Sequence, residues 1–175
     1  EEALRLEDVS SEYISGKDGI RLLSMGKIGE YGEGCACPIN ALSSEFYDSL
    51  KLKDEEILLV DAEAGIEHFG RGVEKGIDLV LMVVDPTQES LKLARKVSDF
   101  GKEVDLKVLF VLNKVSESEK EFIKESLPEE RILGSVSKED SIAKASLEGK
   151  ELNLEIREVR KIVEKIEDMN EELVT

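Results

Sequence analysis

The chain has 175 residues, 41% of them hydrophobic, enough for one domain with a real core. Its 40 Asp and Glu outnumber 24 Lys and Arg for a formal charge of -16, a balance that argues against nucleic acid and against anionic membranes as partners. No apolar run approaches the roughly 20 residues that span a bilayer, and Glu1-Glu2-Ala3-Leu4-Arg5 has neither the basic nor the apolar region of a signal peptide, so a cytoplasmic protein is expected.

In chain order, Ile20 to Met25 (IRLLSM) is a short strand candidate. After the stretch Gly32-Glu33-Gly34-Cys35-Ala36-Cys37-Pro38, helical spacing runs from Ile39 to Leu50 through Leu42 and Phe46. Three apolar runs then close on polar residues: Ile57 to Val60 on Asp61, Leu79 to Val84 on Asp85-Pro86, and Leu106 to Leu112 on Asn113-Lys114. The last two are almost continuously apolar, as strands covered on both faces of a parallel sheet are. Between them Thr87 can cap a helix with Ser90 to Phe100 as its body, ended near Gly101. A shorter helix is expected around Ser118 to Ser126, before Pro128, and a strand over Arg131 to Val136. Asn153 to Leu173 reads as a long amphipathic helix with Ile156, Val159, Val163, Ile166 and Leu173 on one stripe. Alternating strands and helices, with no repeat or low-complexity linker, predict a single α/β domain over 1–175 with a mostly parallel sheet flanked by helices.

The two cysteines, Cys35 and Cys37, are one residue apart. Two thiols so close are a metal-ligand pair or a redox pair, and as a disulfide the one-residue spacer would close a tight, strained ring. Gly32 and Gly34 permit tight-turn angles and Pro38 has a fixed φ at the start of the next segment, so the thiols project from a shaped loop. Thiolates suit Zn²⁺, Cu⁺ or iron-sulfur clusters, but a structural tetrahedral site needs four ligands. A two-fold homodimer would supply the missing pair by setting a second copy of the loop opposite the first, turning Cys₂ into Cys₄.

Ligands of open α/β sheets collect beyond the carboxyl ends of the strands. Asp61, after four apolar residues and before Ala62-Glu63-Ala64-Gly65, has the setting of a Walker B carboxylate that orients Mg²⁺, and Gly65 would let a backbone amide approach a γ-phosphate. As a plain alternative Asp61 only caps a strand. Asn113-Lys114 resembles the base-recognition strand end of P-loop NTPases. The guanine-specific form, Asn-Lys-x-Asp, has a carboxylate in its fourth place, and Ser116 stands there instead, which favours adenine. The competing reading is an Asn-Lys turn after a buried strand. No Gly-x-x-x-x-Gly-Lys-Ser/Thr loop occurs in the 175 residues, and Gly26 to Gly34 contains Lys27 without that ending. His68, the single histidine, and Glu63 and Glu67 beside it read as parts of a solvated segment rather than as ligands.

GEGCACP at 32–38, VDAEAGIEHFGRG at 60–72, LVLMVVDPTQESLKLA at 79–94, VLNKV at 111–115 and ILGSVSKEDSIAKASLEGK at 132–150 resemble, in that order, the CooC-type ATPases. These form part of the MinD/ParA-like branch of P-loop proteins and assist nickel insertion into carbon monoxide dehydrogenase. The resemblance implies a P-loop NTPase (MinD-like) fold missing its first strand and P-loop, the C-terminal portion of such an ATPase. It further implies Cys35 and Cys37 as the metal pair shared across a homodimer around Ni or Zn, Asp61 in the Walker B role with Mg, Glu63 to Arg71 as a γ-phosphate switch, and Asn113 with Lys114 at the adenine of ATP. Carbon monoxide dehydrogenase is the implied client. With the phosphate loop absent, little or no binding of ATP is expected of this chain alone, and whether it hydrolyses ATP stays open. The alternative is a nucleotide-independent dimerisation and metal-binding module; an iron-sulfur scaffold fits less well because those relatives resemble Cys-x-x-Cys carriers.

Overall fold

The computed structural model describes residues 4–24, 45–53, 56–62, 76–152 and 154–174. The chain divides into two compact units, Glu1–Ile77 and Asp78–Thr175. In the first, strands β1 (Ile14–Lys17) and β2 (Ile20–Leu23) form an antiparallel hairpin that pairs Ile14 with Leu23 and Lys17 with Ile20. The turn between them is Asp18-Gly19, with φ of 54° and 81°. A two-residue type I′ turn requires positive φ at both positions, and Asp-Gly adopts it readily. The strand expected over Ile20 to Met25 is thus present as far as Leu23, with Met25 outside the described residues, but as half of a hairpin that the Asp18-Gly19 turn signals and the apolar pattern does not. Leu4 and Leu50 form a parallel bridge, with the Leu4 N–H donating to the Ser49 carbonyl at 3.1 Å and the Lys51 N–H to the Leu4 carbonyl at 2.8 Å. Of the helix expected over Ile39 to Leu50, residues 45–49 are helical and the earlier part lies outside the described residues.

Residues 56–62 enter no strand. Ile57 and Leu59 are 80% and 82% exposed. The Walker B strand expected over Ile57 to Val60 is therefore corrected: the run is apolar, but among the described residues of the first unit no neighbouring strand takes up its backbone N–H and C=O groups, and a strand without a ladder has no reason to persist.

The second unit is built on a three-stranded parallel sheet in the order β3 (Leu79–Val84), β4 (Lys107–Asn113), β5 (Ile132–Val136). It is flanked by α1 (Gln88–Glu103), α2 (Glu117–Lys124), α3 (Asp140–Glu148) and α4 (Arg157–Val174). This is the α/β architecture expected, consistent with a P-loop NTPase-like fold. One face of the sheet carries Met82 and Val84 beside Val108, Phe110 and Leu112, all buried. Helix α1 covers it with Leu91, Ala94 and Val97. On the other face Leu109, Leu133 and Val136 pack with Ile162 of α4, joined by Ile156, Ile166 and Met169. Cover on this face thins at β3, where Val83 is 54% exposed.

Helix boundaries follow local chemistry. The Thr87 hydroxyl caps α1 by accepting the Ser90 N–H at 3.2 Å. This helix ends near Gly101 as expected, at Glu103, but Gly101 is not its cap. It lies buried within the last turn, where a Cβ would come 2.4 Å from Val108 Cγ2 and 2.9 Å from the Leu106 carbonyl oxygen. The missing side chain lets helix and strand approach, and the stop comes after Glu103, with Asp105 at φ 55°. Helix α3, unforeseen from the sequence, ends on Gly149 at φ 61°, a left-handed C-cap. Of the stripe expected over Asn153 to Leu173, Ile156 and Ile166 pack on the core, but Ile162 is the buried member of α4, and Val159 and Val163 remain exposed. Gly134 accounts for the seating, since a Cβ there would stand 2.8 Å from Ile162 Cγ1, and Lys165 Nζ donates to the Leu133 carbonyl.

Gly101→Ala should lower stability by about 1–3 kcal/mol, because overpacking against Val108 outweighs the gain in helix propensity. Denaturant unfolding reads the change; an unaltered or raised midpoint would show that α1 does not depend on this close approach.

Candidate nucleotide-base site

All three strands of the second unit run parallel, so their carboxyl ends open on one edge. Val84 pairs with Leu112, which brings the next residues, Asp85 and Asn113, side by side at that edge. Asn113 Nδ2 donates to Asp85 Oδ1 at 2.8 Å. Lys114 Nζ donates to the other oxygen, Asp85 Oδ2, at 3.3 Å. The Asp85 backbone N–H donates in turn to Ser90 Oγ at 3.1 Å, so the first turn of α1 holds the carboxylate-bearing residue in place.

Lys114 has φ 57°, a left-handed conformation that non-glycine residues rarely adopt and that collects at functional sites. The turn it makes brings the buried Val115 into position to donate its N–H to the Val136 carbonyl at 3.3 Å, continuing the tie between the ends of β4 and β5. Ser116 comes next, as N-cap of α2. Its hydroxyl accepts from the Glu119 N–H at 3.4 Å and donates to Glu119 Oε2 at 2.6 Å, while the Ser116 N–H donates to the same oxygen at 2.8 Å. This capping box uses both groups of the position where guanine-specific sites carry a carboxylate. The Asn-Lys-Val-Ser segment therefore offers a base the Asn113 amide and no acid. A shallow groove of about 270 Å³ lies beside the edge, lined by Pro86, Thr87 and Leu91 from the start of α1 and by Phe122 and Ile123 of α2.

Asn113 and Lys114, the expected base-contact residues, stand at the carboxyl end of β4 with both side chains bonded to Asp85, a residue that the sequence reading did not name as part of the site. The signal was available: Asp85 closes its apolar run as Asp61 closes the earlier one, and parallel pairing of consecutive runs sets their ends side by side. Asp61 lies in the first unit, exposed, after the irregular segment 56–60. Gly65, Cys35, Cys37, His68 and the segment from Glu63 to Arg71 lie outside the described residues. Among the described residues no three His, Cys, Asp or Glu side chains come together as a metal site, and no helix is long and apolar enough to cross a membrane.

The hydrogen bonds from Ser116, side chain first and backbone second, hold the Glu119 carboxyl below its ordinary value of 4.5. A carboxyl lowered in the folded state contributes stability above its unfolded pKa and loses it as pH falls through the folded one. Ser116→Ala should cost about 1 kcal/mol at neutral pH, the usual worth of an N-cap. The penalty should shrink as pH drops below the carboxylate range, and the Glu119 titration, followed by NMR, should move upward. A penalty that does not change with pH would remove Glu119 from the cap.

No family model matches the chain. It is 45% identical over 161 residues to an uncharacterized ATP-binding protein of Methanocaldococcus jannaschii, covering 92% of this chain and 65% of that protein. A second uncharacterized ATP-binding protein of the same organism is 40% identical over 147 residues, 82% of this chain and 57% of the relative. The carbon monoxide dehydrogenase accessory protein CooC of Rhodospirillum rubrum is 33% identical over 147 residues, 83% of this chain and 56% of CooC. The chain thus spans less than two thirds of the length of these relatives and is, over most of its own length, similar to CooC and to proteins named as ATP-binding.

Proposed function

We propose that the protein is a metal-handling accessory protein of the ATPase type that serves nickel insertion into carbon monoxide dehydrogenase. The observation that carries this reading is the combination of similarity to CooC with the Cys35-Ala36-Cys37 pair inside GEGCACP. Cys35 and Cys37 bind Ni or Zn as thiolates, and two copies of the loop in a homodimer complete a four-sulfur site. Asn113 and Lys114 hold the adenine of ATP, a role supported by the ATP-binding relatives and by an amide presented at the carboxyl edge of a parallel sheet. Asp61 is assigned to Mg and Gly65 to the γ-phosphate. In such a cycle ATP draws the protomers together, and hydrolysis alters the dimer that holds the metal.

The residues of this chain divide unevenly between these tasks. Asn113 has hydrogen-bonding capacity left over and fits a purine edge, whereas the Gly-x-x-x-x-Gly-Lys-Ser/Thr sequence that cradles phosphates does not occur in the 175 residues. Base recognition is therefore assigned to this chain and tight ATP binding to a protein that also carries a phosphate loop. The second reading, a dimerisation and metal-binding module that works without nucleotide, rests on the Cys35-Ala36-Cys37 pair alone.

Titration of the reduced protein with Ni²⁺ or Zn²⁺ should saturate at one metal per two chains and raise the mass in solution to that of a dimer. Cys35→Ser should abolish both effects. One metal per monomer with no change in mass would refute the shared four-sulfur site.

A further inference from the structure

Asp85 has no part in the metal and nucleotide cycle, yet it makes the best-defined side-chain contact at the carboxyl edge of the sheet. A carboxylate only accepts hydrogen bonds. Facing Asp85, the Asn113 amide therefore has one allowed orientation: Nδ2 toward the carboxylate, as found at 2.8 Å, and Oδ1 away from it. Rotating the amide by half a turn would set its oxygen against a carboxylate oxygen with no proton between them. Lys114 occupies the second carboxylate oxygen, and the Ser90 hydroxyl, accepting the Asp85 backbone N–H, holds the main chain that carries the carboxylate.

We infer that Asp85 is a positioning residue that fixes the flip of the Asn113 amide and thereby makes the site select a purine with a donor at its 6-position over one with a carbonyl there. This rests on the reading of Asn113 as the base contact. The locked amide has a free oxygen and one remaining N–H. Adenine offers the matching pair along its major-groove edge, a 6-amino donor and the N7 acceptor, and Asn bonds that edge through both. Guanine and hypoxanthine offer two acceptors there, the 6-oxo group and N7. An unrestrained Asn could turn its NH₂ group to a 6-oxo purine at little cost. Asp85 removes that option, so discrimination comes from a residue that does not touch the base. The absence of an acid at Ser116 withdraws the usual guanine contact, and the lock at Asp85 adds an active preference for adenine.

The test compares ATP with ITP, which has the 6-oxo group but lacks the guanine 2-amino group, by NMR titration of the ¹⁵N-labelled chain up to millimolar nucleotide. Wild type should bind ATP more tightly than ITP by about fivefold to a hundredfold, the range a bidentate base contact confers. In Asp85→Asn, whose own amide can face Asn113 with either end, the ratio should fall toward one, chiefly through stronger ITP binding. ATP binding with an unchanged ratio in the variant would overturn the role of Asp85 while leaving the base site standing. A response to ATP that spares Asn113 and its neighbours would sink the base site itself and the specificity role with it. A further readout needs neither nucleotide nor a folded variant: in the free wild type, one Asn113 side-chain amide proton should resonate downfield and exchange more slowly than its twin. Equal exchange of the two protons would overturn the lock.

Discussion

Val84 opposite Leu112 is the pairing on which the second unit's chemistry depends. The two parallel strands share six residue pairs, and their inner face is closed by α1 through contacts tight enough to require glycine at position 101. A slip of one residue would turn every buried side chain of β3 to the wrong face, so the register cannot drift. With the register fixed, Asp85 and Asn113 emerge next to each other, and that placement produces the carboxylate-amide contact. The functional edge is thus a consequence of core packing several residues away.

That arrangement distributes tasks over short segments. Asn113 ends a buried strand, Lys114 takes a strained left-handed turn, Val115 returns to the core, and Ser116 starts the next helix. Four consecutive residues carry four different constraints, which leaves little freedom for the amide to wander. Backbone strain at Lys114 is offset by the Val115 bond to Val136 and by the α2 cap on either side of it. The proposed base site, held this way, would be prepared before any ligand arrives, which lowers the entropic cost of binding.

Much of the second unit was legible because its strands are continuous apolar runs and its helices carry caps: Leu79 to Val84, the β4 run, Thr87 and the long C-terminal helix all appear close to where pattern and cap chemistry put them. The failures have physical causes. Ile57 to Val60 looks like Leu79 to Val84 in composition, but a strand exists only with a partner, and no property of the run itself names one. Gly101 looked like a helix stop and is a packing contact, a difference visible only once Val108 lies beneath it. The Asp18-Gly19 turn was an available hairpin signal that went unused. At the candidate site, Asn113, Lys114 and Ser116 were read from the motif that closes the β4 run, whereas the contact of Asp85 with the first two needed the strand register. Cys35, Cys37 and Gly65 remain known from sequence alone.

The proposed metal loop is read from sequence, whereas the proposed base site rests on the β3–β4 edge, and there the geometry commits most. Intermolecular nuclear Overhauser effects between ATP and the labelled chain test that site most directly. Contacts are expected from the adenine H8 proton to the Asn113 side-chain amide protons, with none to Phe122 in the neighbouring groove. Adenine contacts confined to that groove, or absent from Asn113, would contradict a base site at Asn113.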